Sequence, residues 1–290
     1  MRRLALILSL LALPVSALAA FTKPSDLLAA MQFKGKPLDV AYEAHGQMDD
    51  MYASLWVKGN VEGTDAEDAK ANLRLTVDFV QGKENVRGKV QLRLVDKTLY
   101  MMLESVTCIS ADPCAYADLA KPYANQQWYS LSIKNLQEEQ GVNDAEAEAM
   151  VKVLVDAALS LERTQSGNAS LYSLKLKRTA AADLKKVLLQ LAAEHPGKGM
   201  ETLSSKDTAE LRRVLAKTNL HIKAVTTLKD EPKSLKMYLA YAEKNVRFVL
   251  QGALTLRSAP VKVLQPSAAI SLDNTVEESW SNEKQLPRTR

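Results

Sequence analysis

Three histidines, two cysteines and two acidic pairs are the residues of this chain whose types and spacing could do chemistry. His45, His195 and His221 stand far apart, and none has the sequence neighbours that acid–base catalysis needs. No HExxH sequence offers zinc its ligands, so no metal site is expected. His195 precedes Pro196 and reads as a helix-end residue, whereas His221 falls on the polar side of an alternating segment and reads as solvated. A GxSxG nucleophile elbow, a GxxxxGKS/T phosphate loop and a GxGxxG dinucleotide loop are all absent. Eleven glycines leave little material for such loops. Asp49-Asp50 and Glu138-Glu139 could supply paired carboxylates, but a glycosidase sets its acids across a cleft, usually with aromatic platforms. Aromatics are scarce here, at 6% of residues, so these pairs read as solvated loop acids and no catalytic residue is expected. Asn168-Ala169-Ser170 is a glycosylation sequon, meaningful only in a host that glycosylates exported chains.

Cys108 and Cys114 enclose the turn-like stretch Ile109 to Pro113. A redox pair usually takes CxxC spacing, and a metal would need further ligands nearby. A structural disulfide is the expectation, with free thiols as the alternative. Closing so short a loop contributes only about 2 kcal/mol on the chain-entropy account, enough to pin a loop but not to hold up a fold.

The compartment follows from the first nineteen residues. Arg2 and Arg3 begin the chain, Leu4 to Val15 is apolar, and Ala17-Leu18-Ala19 has the small-x-small form of a cleavage site, the three parts of a secretory signal peptide. The apolar run is shorter than the roughly 20 residues of a spanning helix. Residues 1–19 are therefore read as a cleaved signal peptide with no integral membrane segment after cleavage, and the mature protein as soluble, exported to a periplasmic or extracellular space. Loss of Arg2 and Arg3 lowers the formal net charge from +4 to +2. A near-neutral chain with interspersed charges gives no electrostatic case for nucleic acid.

The elements that would position any site show two periodicities. A short helix is expected with Ser25 as its N-cap, before Leu27, Leu28 and Met31. Alternation of period two then runs through Val40 to Gly46, Tyr52 to Gly59, Leu73 to Phe79, Val86 to Leu94, Leu99 to Val106 and Trp128 to Ile133. A period of 3.6 predicts a helix capped by Asp144, with the stripe Met150, Val151, Leu154, Val155, Ala158 and Leu159. After a strand over Tyr172 to Leu176, two more helices are expected from Ala180 to Glu194 and from about Ser205 to Thr218. Alternation returns from Leu220 to Leu228, Leu235 to Tyr241 and Val246 to Leu256, and a last short strand is expected over Val261 to Leu264.

Strands joined by short hairpins and dry on one side make an antiparallel sheet, and the amphipathic helices are its natural cover. The fold class is therefore α+β: a curved, incompletely closed antiparallel sheet of about ten strands, a half-barrel, with helices over the concave face. Residues 20–270 are read as a single domain and 271–290 as a polar tail. A sheet that curves without closing leaves room for a hydrophobic ligand against its apolar face. The predicted lining is Leu73, Leu75, Val77, Val90, Leu92 and Leu94 from the sheet, with Met150, Leu154 and Leu159 from the helix.

A resemblance supports this reading. Trp56-Val57-Lys58-Gly59, the paired segments Leu73 to Phe79 and Val86 to Leu94, Lys97 to Tyr100 and Gln127 to Leu131 occur in that order. The helix from Asp144, Tyr172 to Leu176 and the closing Pro260 to Pro266 follow, and the succession resembles the LolA-like superfamily of exported lipid and lipoprotein carriers, including its LppX/LprG-like branch. The resemblance spans roughly residues 25–270. It implies an incomplete barrel around a hydrophobic cavity and a non-enzymatic carrier or sensor of lipid or lipoprotein acyl chains, with no cofactor. The lipobox cysteine of the LppX/LprG-like branch is missing. The competing expectation is an envelope protein–protein interaction module with a fully packed core and no ligand.

Overall fold

The computed structural model describes residues 21–64, 68–108, 125–132, 144–194 and 204–272. The expected signal peptide, Cys114, Glu138-Glu139, His195 and most of the polar tail lie outside these residues. Four helices are described: α1 (Pro24–Ala30), α2 (Asp144–Ala158), α3 (Ala180–Glu194) and α4 (Ser205–Ala216). The strands are β1 (Leu38–Met48), β2 (Met51–Glu62), β3 (Lys70–Gln81), β4 (Glu84–Val95), β5 (Thr98–Cys108) and β6 (Trp128–Ser132). They continue with β7 (Leu159–Ser166), β8 (Ala169–Leu176), β9 (Thr218–Thr227), β10 (Pro232–Glu243), β11 (Val246–Leu256) and β12 (Ile270–Ser271). Their order is β12-β6-β5-β4-β3-β2-β1-β11-β10-β9-β8-β7, a twelve-stranded, mostly antiparallel sheet that is not closed into a barrel. The fold class expected from alternation is the one observed, an open antiparallel sheet with helices.

Contacts gather the chain into two compact units. The first comprises residues 1–34, 39–49 and 142–257, and the second 35–38, 50–141 and 258–290. All four described helices belong to the first unit. Its buried side chains include Leu27 and Met31 of the α1 region, Val155 of α2, Leu191 of α3, and Tyr172, Leu174, Ile222, Ala224 and Leu235 of the strands.

Local chemistry explains most boundaries. In α1 the helix begins at Pro24, whose fixed φ suits the first turn, with Asp26 complementing the positive helix end. The expected cap at Ser25 is corrected: its backbone N–H and hydroxyl both donate to the Asp156 carboxylate of α2, at 2.9 and 2.8 Å. In α4, Ser204 accepts from the Asp207 N–H while Asp207 accepts from the Ser204 N–H, a reciprocal capping box. The β4–β5 hairpin turns through Asp96 and Lys97, both at positive φ, the geometry whose twist matches the flanking strands.

Two segments differ from expectation. Leu159, placed on the helical stripe, is instead the first residue of β7, which pairs residue by residue with β8 from Leu159↔Leu176 to Ser166↔Ala169. After Leu161 this edge strand is a run of polar residues, so no alternation announces it. The expected strand over Val261 to Leu264 does not form. Pro260 and Pro266 bracket the segment and cannot donate to a ladder, and its contacts are made singly. Val261 N–H donates to Glu62 at 2.6 Å, Arg93 donates to the Leu264 carbonyl at 3.0 Å, and the Gln265 amide donates to the Tyr100 hydroxyl at 2.7 Å.

Candidate functional site

The register of the second unit decides which side chains share a face. Across β3 and β4, Leu73 lies opposite Leu92, Leu75 opposite Val90 and Ala71 opposite Leu94. Directly opposed residues point the same way, so the six sheet residues predicted to line a ligand site do stand on one face. The face extends in both directions. On one side Val57 opposes Leu75 and Leu55 opposes Val77; on the other Leu99, Met101 and Leu103 oppose Leu94, Leu92 and Val90, with Tyr129 and Leu131 beyond. Met102, by contrast, points to the other face, so of the adjacent methionines only Met101 adds an adaptable side chain here.

The opposite face of the same strands is polar. Arg87 of β4 forms two hydrogen bonds with the directly opposed Asp78 of β3, at 2.7 and 2.6 Å, and the guanidinium holds the Asp78 carboxyl below the usual carboxylate range. Arg93 stacks over the Trp128 ring at 4.5 Å while donating to the Leu264 carbonyl. Alternation therefore separates a polar face, crossed by the 258–272 segment and burying Ser54, Val95 and Tyr100, from an apolar one.

The apolar face is not sealed as a core is. Most of its residues on β2 to β6 are half-buried, Ala71 alone among them reaches full burial, and Val77, at 38%, is exposed. A Cβ added at Gly88, which opposes Val77, would meet no atom within 4 Å. The position that a Gly88 side chain would take is thus open. One acid sits at the rim: Glu84 shares this face by register, and its Oε2 is buried with no hydrogen-bond partner. A face built this way can hold an apolar chain by area.

The helical residues of the predicted lining all belong to the first unit. Met150 and Leu154 are half-buried on α2, whereas Leu159, at 5% exposure, is part of that unit's packed interior. Cys108 ends β5, and no cysteine is free among the described residues. Of the two described histidines, His45 contacts Glu43 at 2.5 Å and His221 contacts the Ser173 hydroxyl at 2.9 Å. No group of three potential metal ligands occurs among the described residues, and no described helix is long and apolar enough to cross a membrane. A surface cavity of about 230 Å³ in the second unit is polar, and two of its acids are engaged: Glu62 accepts from Val261 N–H and Asp68 from the Thr64 N–H and hydroxyl.

One constellation gave no sequence signal. In the first unit the Tyr172 hydroxyl donates to Asp230 at 2.6 Å, Arg163 lies 3.6 Å from the same carboxylate and 5.5 Å over the Tyr172 ring, and the Phe21 ring meets that ring edge-on at 5.4 Å. Burial and then the Asp230 hydrogen bond push the Tyr172 hydroxyl up to about 12. Its members are scattered from residue 21 to 230, and the whole is a packed structural network beneath the β9–β10 turn.

No protein-family model matches this chain, and no curated protein matches it. Among solved structures, an N-terminal dehydratase from the difficidin assembly line aligns over 77% of this chain and 78% of its own at 10% identity, with a TM-score of 0.14. Similarity of that order carries no argument about fold or activity.

Proposed function

We propose that this is an exported, non-enzymatic protein that binds a hydrophobic ligand, a lipid or a lipoprotein acyl chain, as a carrier or sensor. The single observation that carries the reading is the continuous apolar face of β2 to β6, mostly half-buried, exposed at Val77 and open at the Gly88 side-chain position. A buried face of this kind in an ordinary domain would be closed to packing density, because unfilled space forfeits contact energy. A ligand chain supplies the missing contacts at about 0.8 kcal/mol per methylene covered. Export under the N-terminal signal and a Cys108–Cys114 disulfide belong to the same proposal, since both fit an oxidising compartment.

Native mass spectrometry of the purified mature protein, with uptake of a fluorescent fatty acid, tests the reading. Co-purifying lipid mass or saturable, displaceable uptake is the expected result. A clean ligand-free mass with no uptake would reject it and favour a packed interaction module of the envelope.

A further inference from the structure

On the first unit the sheet face opposite to buried Ile222, Ala224 and Leu235 is built around lysines. The register places Lys223 of β9 directly opposite Lys236 of β10, and Ser173 of β8 opposite Lys223 on its other side. One step along the strands, Lys175, His221 and Tyr238 form the neighbouring row. Lys175 pairs with Glu162 at 3.0 Å, but no carboxylate pairs with Lys223 or Lys236 among the described residues, and both are exposed. Like charges directly opposed across two strands destabilise a sheet, so the pair is a local cost.

We infer that this face docks on a membrane surface rich in anionic lipid headgroups. Charge complementarity names the sign of the partner, and the form of the surface names its kind. The lysines stand on the face of paired strands rather than in a cleft. Tyr238 and Leu171 present amphipathic and apolar groups beside them, each 37% exposed, and Leu228 of the β9–β10 turn lies exposed between these strands and Lys229. Tyrosine at headgroup depth, with apolar side chains reaching just below, is the composition of an interfacial contact. Lysine, a compact charge on a flexible stem, suits diffuse headgroup charge where bidentate recognition would call for arginine. This inference stands independently of the ligand proposal, because it uses the other unit and the other chemistry of the sheet.

Co-sedimentation of the full chain with vesicles tests it. Binding is expected to vesicles of phosphatidylcholine with about a third phosphatidylglycerol, not to phosphatidylcholine alone, and to weaken with salt as surface charge is screened. Neutralising both residues (Lys223→Gln with Lys236→Gln) is expected to lower partitioning about thirtyfold, the product of about fivefold for each surface lysine, while the melting temperature stays level or rises because the opposed charges are gone. The charge-matched control Lys186→Gln with Lys206→Gln, on α3 and α4, should bind as the parent does. Absence of binding to anionic vesicles, or equal loss in the control, overturns the inference. Retention on an acidic polypeptide without vesicle binding also overturns it, assigning the face to a protein partner instead.

Discussion

Truncation of Leu75 separates the ligand proposal from ordinary packing. Leu75 sits mid-face, between Val57 and Val90, and is half-buried. Covering a leucine side chain completely is worth about 2 kcal/mol, so roughly half of that is already realised in folding and half remains for whatever covers the face. Leu75→Ala should therefore cost about 1 kcal/mol of stability and, independently, about 1 kcal/mol of ligand affinity, close to a fivefold rise in Kd. The neighbouring Thr76→Ala removes a side chain from the polar face of the same strand and should leave affinity unchanged. Urea unfolding reads the first quantity and displacement of a fluorescent fatty acid the second. A folded Leu75→Ala protein with parental affinity, or equal weakening by Thr76→Ala, would refute the assignment of the face.

Four other outcomes are expected. Tyr172→Phe keeps the ring against Phe21 but removes the donor to Asp230, costing about 2 kcal/mol by chemical denaturation. Because the folded hydroxyl is raised to about 12, the parent should lose stability as pH rises from 10 through 12, and Tyr172→Phe should lack that fall. Glu243 is held at about 2 by hydrogen bonds from Lys217 and Tyr241, with Arg213 beside it. Its contribution is complete above the ordinary 4.5 and lost as pH falls toward 2, so Glu243→Gln should flatten the acid limb of a melting-temperature profile. A Cβ at Gly59 would lie 2.0 Å from the Asn72 carbonyl oxygen on β3, so Gly59→Ala should cost 2 kcal/mol or more, by rough analogy with overpacking. Gly88→Ala, pointing into open space, should remain within about 0.5 kcal/mol of the parent in thermal melts.

Much of this architecture was legible because alternation is a direct physical consequence of a sheet with one dry side. Leu73 to Phe79 and Val86 to Leu94 announced both their strands and their shared face, and the register then paired them. Edge strand β7 stayed silent because its polar run buries almost nothing, and β12 because two residues have no period. Helix α1 was found but its cap was not, since the Ser25 hydroxyl turns to Asp156, 131 positions away, a partner that no local pattern encodes. The Arg163–Tyr172–Asp230 network was hidden for the same reason. The opposed Lys223 and Lys236 became visible only with the register of β9 and β10, because thirteen positions separate them in the chain.

The extended segment after Pro260 has a consequence for the order in which the chain folds. Strands β2 to β6 are complete by Ser132, yet the groups that satisfy Glu62, Arg93 and Tyr100 arrive with Val261, Leu264 and Gln265, 165 to 199 positions later. Closing loops of that length carries an entropic toll that grows only slowly with length, but such contacts form late. A chain emerging from its N-terminus would present β2 to β6, apolar face included, well before these last contacts existed. During that interval the sheet is most open to aggregation.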